Sequence, residues 1–403
     1  MTDVQSDTEI LIATVLREQG ETGIQTHFNT FRKYLVERGV TVAVVTPFLC
    51  PQWAVIPIFG VRKLLDRVSG ELSVWWYRYW HYLFLKAALR QQLLKQSQMN
   101  ASTVIYAQEP LAAKAALEAR QSTHQRVMMM VHFNVSQADE WVGKGKISKA
   151  GWAFQAIKKL ESEILPQLDG IIYTTDFMKR TIEQQIPQVA HVTSVVLPCF
   201  ISPSVRPTQP KLIGDLITIG TLEPRKNQSY LLQILAEAKQ RGKQYSLTFI
   251  GNGPDFERLK NLSCQLNIDA QVTFLGFQEQ ASTFLPNHKI YVHSALFESF
   301  GIVLVEAMAY GVPILAGAVG GIPEVFTDGV EGYYWPLTDP VAAAVILINT
   351  MEDIDTRNQM AQAAKERFSS QFDSNVVANK LLTFLKSDRS STETNLNSIE
   401  VID

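Results

Sequence analysis

Two carboxylates, Glu298 and Glu306, stand with seven residues between them in the run YVHSALFESFGIVLVEAMAYGVPILAGAVGGIPE that spans residues 291–324. Ile302, Val303, Leu304, Val305, Ala307 and Met308 predict a helix beginning at Phe300-Gly301, which Gly311 caps and Pro313 stops. A helix N-terminus offers free backbone N–H groups and a partial positive charge. Gly301 lets a ligand come close to them, so a phosphate or diphosphate can sit there without a metal. Glu306 falls about 7.5 Å further along the axis, on the face of Ile302 and Val303, where its carboxylate can accept both hydroxyls of a ribose. Glu298, in the loop before the helix, reaches what lies beyond the phosphate. The pair suits a ligand with hydroxyl-bearing rings on both sides of a diphosphate. The plainer alternative makes Glu298 a helix N-terminal charge and Glu306 a surface residue. Against it, an unpaired carboxylate among the apolar neighbours of Glu306 is costly.

Cations for such a ligand come from upstream. Gly220-Thr221-Leu222-Glu223-Pro224-Arg225-Lys226-Asn227 follows a predicted strand and precedes a predicted helix, Gln228 to Arg241. Lys226, just past the strand's carboxyl end, can neutralise phosphate oxygens, with Arg225 as the adjacent candidate; a solvated loop cation is the other reading. Gly276-Phe277 follows another strand, and Phe277 belongs either near a base or in the core. Gly251-Asn252-Gly253-Pro254 reads as a connector, and Gly143-Lys144-Gly145-Lys146-Ile147-Ser148 lacks P-loop spacing. In the first half, Gly20 and Gly23 follow the opening strand and let the backbone approach a ligand. His132 follows VMMMV at a strand's carboxyl end, as a candidate hydrogen-bonding group or a structural histidine.

These residues need strands and helices to hold them. Apolar runs at Ile10–Val15, Val40–Val45, Thr103–Tyr106, Val127–Val131 and Gly170–Tyr173 alternate with helix-length segments, which predicts a parallel sheet. A proline-rich passage, Ser202-Pro203 to Gln209-Pro210, interrupts the alternation. It restarts at Leu216–Gly220, Ser246–Gly251, Val272–Gly276, Ile290–His293 and Pro313–Ala316. The expected fold class is α/β, as two doubly wound Rossmann-like domains facing a cleft, with ligands at the carboxyl ends of the strands. The expected domains are 1–205 and 211–370, with a helix at about 372–386 packing back on the first and a polar tail over 387–403. Two domains also suit a chain of 403 residues.

Residues 1–200 carry 21 Lys and Arg against 17 Asp and Glu, and the remainder 16 against 22. The net charge of −2 argues against a nucleic-acid partner that needs a wholly basic surface. Three scattered cysteines do not suggest a disulfide framework, and the acidic start does not read as a signal peptide, so the expected compartment is the cytoplasm. No obvious Asp-x-Asp motif for a metal stands among these candidate residues, and no metal is expected.

Glu298-x7-Glu306, with Phe300-Gly301 inside it and Gly311-x-Pro313 and Gly320-Gly321-x-Pro323-Glu324 after it, resembles the donor-binding signature of retaining GT-B glycosyltransferases, in particular family GT4. The likeness covers most of residues 216–345. It implies that Glu306 binds a nucleotide ribose, that Glu298 contacts the donor sugar, and that the backbone of Phe300, Gly301, Ile302 and Val303 serves the sugar hydroxyls and the diphosphate. It further implies that Gly320 and Gly321 turn tightly near the donor, that Thr221, Arg225 and Lys226 belong to the phosphate loop, and that Gly23 and His132 contact the donor from the first domain. Thr221 stands where the family commonly has a basic residue, and Leu197-Pro198-Cys199-Phe200 where it often has Asn-Gly.

The resulting expectation is a metal-independent hexosyltransferase that uses a nucleotide diphosphate sugar, UDP-glucose before GDP-mannose, and a saccharide or lipid-linked acceptor. His132, Glu298 and Lys226 are its expected catalytic residues. Another GT-B activity such as an epimerase or a phosphorylase is the enzymatic alternative, and a sugar-nucleotide-binding scaffold the non-enzymatic one. Seven aromatics within residues 74–84, near Arg62, Lys63, Arg67, Lys86, Arg90 and Lys95, suit either an interfacial helix on an anionic membrane or a buried helix.

Overall fold

The computed structural model describes residues 8–20, 22–96, 102–122, 124–133, 135–202 and 213–387. The described residues up to Leu197, joined by those from Val377 onward, form one compact unit, and the described residues between Pro198 and Val376 form the other. The division falls earlier than residue 205. Most of the proline-rich passage, at 203–212, and the tail from 388 lie outside the described residues.

In the first unit, β1 (Glu9–Ala13), α1 (Gly23–Glu37), β2 (Val42–Val45), α2 (Gln52–Val68), α3 (Gly70–Gln96), β3 (Thr103–Ala107), α4 (Pro110–Ala119) and β4 (Gln125–Val131) are followed by α5 (Gln137–Gly143), α6 (Trp152–Ile164), β5 (Gly170–Tyr173), α7 (Asp176–Gln185) and β6 (Ser194–Val196). The six strands pair in parallel in the order β2-β1-β3-β4-β5-β6. Their central residues, among them Leu11, Ile105, Val127, Met129 and Ile171, are fully buried. That is why these strands read as continuous apolar runs and show no alternation. Helix α1 starts where Thr22 and Gln25 form a reciprocal capping box, which satisfies two of the first-turn donors.

The second unit runs β7 (Gly214–Ile219), α8 (Gln228–Gln240), β8 (Leu247–Ile250), α9 (Phe256–Gln265), β9 (Val272–Phe274), β10 (His288–His293), α10 (Ile302–Tyr310), β11 (Ile314–Ala316), α11 (Ile322–Val325), β12 (Gly332–Tyr334), α12 (Pro340–Glu352) and α13 (Ile354–Arg367). Its parallel order is β12-β11-β10-β7-β8-β9. The last helix, α14 (Ser374–Lys386), leaves this unit, and its end packs in the first one, where Arg126 Nη2 donates to the Leu385 carbonyl at 2.6 Å. Strands β6 and β12, three residues each, are the two that the sequence reading did not anticipate. Gly311, at φ +68°, ends α10 with its N–H on the carbonyls of Ala307 and Met308.

In each sheet the strand order reverses once, between β1 and β3 and between β7 and β10. The loops leaving those four strands diverge and open a crevice at their carboxyl ends. Gly23, Thr221, Arg225, Lys226 and Glu298 follow these strands, whereas His132 follows β4 and Phe277 follows β9.

Most of the aromatic segment 74–84 is packed. Val74, Arg78, His81 and Leu85 of α3 are buried, Trp76 Nε1 donates to the Ile58 carbonyl at 3.0 Å, and Arg62 lies 4.3 Å over the Tyr77 ring. Trp75 and Tyr79, stacked at 5.3 Å, remain exposed. The other five aromatics of the segment are half-buried along this 27-residue helix, partly covered by its neighbours.

Candidate functional site

In the second unit, the loops after β7 and β10 brace each other. Ser294 Oγ donates to the carbonyls of Lys226 and Asn227 at 2.9 and 3.0 Å, Arg225 Nη1 donates to the Phe297 carbonyl at 3.1 Å, and the Leu296 N–H donates to the Arg225 carbonyl at 2.9 Å. Asn227 takes a left-handed conformation, φ 53°, to turn the chain into α8. The loop after β8 lies against the first of these. A Cβ on Gly251 or Gly253 would fall 1.9 or 2.2 Å from the carbonyl oxygens of Gly220 and Leu222, so Gly251-Asn252-Gly253 is a packing connector.

This bracing collects charge around one buried carboxylate. Lys226 Nζ donates to Glu298 Oε2, which also lies 3.7 Å from Arg225 Nη1 and 3.6 Å from His293 Nε2. Burial alone would raise the Glu298 pKa; Lys226, then His293 and Arg225, outweigh it and hold Glu298 far below the usual carboxylate range. Burial, with Lys226 and Arg225 beside it, lowers the His293 pKa, so its ring is neutral at pH 7. His293 and Ser294 were not legible as site residues. Their only signal is their place at the end of the apolar run of β10.

Gly301, at φ +83°, leads into α10. Along α10, Leu304, Val305, Ala307 and Met308 are buried while Ile302, Val303 and Glu306 share a half-buried face. Ile302, Val303 and Glu306 thus lie on one side of the helix, whose first backbone N–H groups point along its axis from the N-terminal end. Phe300 is turned inward, its ring 6.0 Å from that of Phe372, so its backbone alone faces the helix start. Thr221 is exposed. Phe277 follows Gly276 at φ +66° and is 63% exposed, which excludes the core role.

The first unit has its own cluster at the reversal point. Glu109, buried just after β3, accepts from the Val15 N–H and, at 3.2 Å, from Thr14 Oγ1, and so ties the loop after β1 to β3. Gln108 Oε1 lies 3.1 Å from His132 Nε2, and the His27 ring meets that of His132 at 5.0 Å. Burial holds the His132 pKa well below the imidazole range, so His132 is neutral and suited to hydrogen bonding. Gly23 opens α1, beside the N-terminal cap at Thr22. Gln108, Glu109 and His27 escaped the sequence reading because a single polar residue after an apolar strand has no periodic partner. Among the described residues no group of three or more His, Cys, Asp or Glu is placed to hold a metal ion.

Burial pushes Glu109 up to about 7, against the hydrogen bonds from Val15 and Thr14 and the charge of Arg78. An unfolded glutamate ionises near 4.5. Between that pH and 7 the folded chain keeps a proton that the unfolded chain has lost, so stability falls as pH rises through this window and is flat above it. Glu109→Gln should therefore gain about 3 kcal/mol on the wild type between pH 4.5 and 8, read from urea midpoints. A pH-independent difference between the two proteins would contradict the assignment. Glu161, also pushed to about 7 by burial, keeps part of the slope in both.

Residues 22–205 match the family described as Glycosyltransferase Family 4, and residues 207–367 match Glycosyl transferases group 1. Among curated proteins, the chain is 35% identical over 137 residues to the N-acetyl-alpha-D-glucosaminyl L-malate synthase of Bacillus anthracis, covering 34% of this chain and 36% of that protein. It is 32% identical over 156 residues to the D-inositol 3-phosphate glycosyltransferase of Corynebacterium efficiens, covering 37% of each. These matches thus span little more than a third of either relative. Among solved structures, Anabaena HepE in complex with UDP-glucose shares the fold, with a TM-score of 0.67 at 18% identity over 94% of this chain and 99% of that one. Sucrose-phosphate synthase from Thermosynechococcus elongatus follows with a TM-score of 0.62 at 18% identity, over 75% and 77%. With the two family matches falling on successive parts of the chain and two parallel six-stranded sheets beneath them, the chain belongs to the group 1, family 4-like glycosyltransferases of GT-B fold.

Proposed function

We propose that the chain transfers a hexose, with retention at the anomeric carbon, from a nucleotide diphosphate sugar to a saccharide or lipid-linked acceptor in polysaccharide or glycolipid synthesis on the cytoplasmic side of a membrane. The observation that carries this reading is the grouping of Lys226, Arg225 and His293 around Glu298 at the strand-order reversal of the second unit. Lys226, Arg225 and the first N–H groups of α10 take the diphosphate and stabilise the charge that develops on it as it leaves, with Thr221 and Phe277 at the edges of the phosphate loop and the base. Glu306 takes the ribose hydroxyls. Glu298 takes the sugar hydroxyls, while Gly23 and His132 serve the donor from the first unit as a close backbone and a neutral hydrogen-bonding ring. The acidic excess of the second half of the sequence opposes a diphosphate, so attraction is local.

UDP-glucose is the first donor choice, supported by the Anabaena structure with that ligand. GDP-mannose is the second, supported by the GDP-mannose-dependent mannosyltransferase of Mycolicibacterium smegmatis, 29% identical over 160 residues. The test is a panel of UDP-, GDP- and ADP-sugars, read by thermal shift and by slow donor hydrolysis, with and without EDTA. UDP-glucose should raise the melting temperature and be hydrolysed equally in EDTA. Stabilisation by GDP-mannose alone would move the donor to the second choice, and a strict Mg²⁺ or Mn²⁺ requirement would overturn the assignment of charge stabilisation to Lys226 and α10. Phosphate-dependent glucan cleavage without a nucleotide would identify a phosphorylase.

A further inference from the structure

Helix α2 has two unlike faces. Towards α3 it is packed: Val55 and Ile58 are buried, and the Phe59 ring meets that of His81 at 5.9 Å. On the other side Trp53, Ile56, Leu64 and Val68 are 79, 64, 61 and 78% exposed, with Val61 beside them. Steps of three and four residues, with Gly60 completing the series, align them in one stripe. From Trp53 to Val68 the stripe runs about 22 Å at 1.5 Å per residue. Apolar residues scattered singly on a surface need no explanation, whereas a continuous rank of them does.

The charges at its edge identify the occupant. Lys63 and Arg67 are exposed along one border of the stripe, and neither forms an ion pair among the described residues. The acidic residue of this helix, Asp66, is paired with Lys146 at 2.7 Å. An apolar stripe bordered by unmatched cations, with a tryptophan at one end, fits the boundary between acyl chains and anionic headgroups. Among the described residues no helix is long and apolar enough to cross a membrane.

We propose that α2 lies along the surface of an anionic bilayer, with Trp53, Ile56, Leu64 and Val68 among the acyl chains and Lys63 and Arg67 on headgroup phosphates. The inference builds on the lipid-linked acceptor reading but moves the contact from residues 74–84, which are mostly packed, to residues 53–68. Its test requires neither donor nor acceptor, so it stands or falls separately from the activity.

The probe is co-sedimentation with phosphatidylcholine vesicles, with and without phosphatidylglycerol. The wild type should bind the anionic vesicles. Trp53→Glu/Ile56→Glu/Leu64→Glu should bind them at least about tenfold more weakly with an unchanged melting temperature, because these side chains touch little of the fold. Lys63→Glu/Arg67→Glu should lose about tenfold on anionic vesicles and little on neutral ones. Wild-type protein that binds neither vesicle overturns the proposal, as does a triple variant that binds as well as the wild type. A wild-type dimer that the triple variant converts to monomer, with no vesicle uptake by either, would assign the face to a second copy of the chain.

Discussion

Glu298→Gln should bind UDP about tenfold more tightly than the wild type while transferring sugar about 10³-fold more slowly. The two effects have opposite signs because Glu298 holds the cations that the diphosphate needs. Its carboxylate is bonded to Lys226 and close to Arg225 and His293. It is ionised at neutral pH, since its neighbours hold its pKa far below the usual carboxylate range. An incoming diphosphate must take Lys226 from it. One unit charge at 4 Å is worth about 1 to 4 kcal/mol between bulk water and a protein surface, and a neutral amide of the same shape removes that competition. Once displaced, the wild-type carboxylate is free for the sugar hydroxyls, a role glutamine cannot fill as a charged acceptor. Without ligand the variant should lose about 3 kcal/mol, because Lys226 keeps a poorly compensated charge in a partly buried place. UDP should therefore raise its melting temperature further than it raises that of the wild type. Calorimetry with UDP and single-turnover transfer separate the two effects, and UDP binding weaker than that of the wild type would sink the competition.

Gly320→Ala should cost about 10²-fold in kcat/KM although the side chain of residue 320 takes no part in the chemistry. Gly320 has φ +58°, and a Cβ built on it would sit 2.0 Å from the carbonyl oxygen of Glu298. That oxygen also accepts the Gly321 N–H at 2.9 Å, so the turn after β11 holds the backbone that carries Glu298. A methyl group cannot occupy the space without moving Glu298, and backbone, unlike a flexible side chain, does not yield cheaply. Gly329→Ala is the control. It too has a positive φ, +77°, but its nearest contact to a Cβ is Tyr333 at 3.9 Å. Both variants should lose about 1 kcal/mol to left-handed strain, and Gly320→Ala alone should lose the larger share of activity. Equal activity in the two would mean that Gly320 acts through strain only.

Local chemistry made part of this molecule legible in advance. The central strands announced themselves because a strand buried on both faces must be apolar throughout. Helix α10 was bounded by Gly301 and Gly311 because both take left-handed backbone, which few other residues adopt cheaply. The site residues that share one stretch of chain, Glu298, Gly301 and Glu306, could be related to each other by helix geometry alone. His293, Ser294 and Glu109 could not, because what they do depends on partners 94 or 68 residues away, as in Val15 with Glu109 or Ser294 with Lys226. The aromatic segment was ambiguous for a related reason, since a helix rich in tryptophan and tyrosine suits a bilayer surface and a protein interior equally well.

By itself, then, the sequence determined the α/β class and the stretch that begins at Glu298, because these follow from periodicity, backbone freedom and short spacings; the glycosyltransferase family was legible through the resemblance of that stretch to a known signature. Only the tertiary structure decided that Glu298 is held by Lys226 and Arg225, that Phe300 turns inward while Phe277 turns out, and that the bare apolar face belongs to α2 and not to residues 74–84. Those outcomes depend on which elements pack side by side, and residues distant in the chain meet there without leaving any local mark.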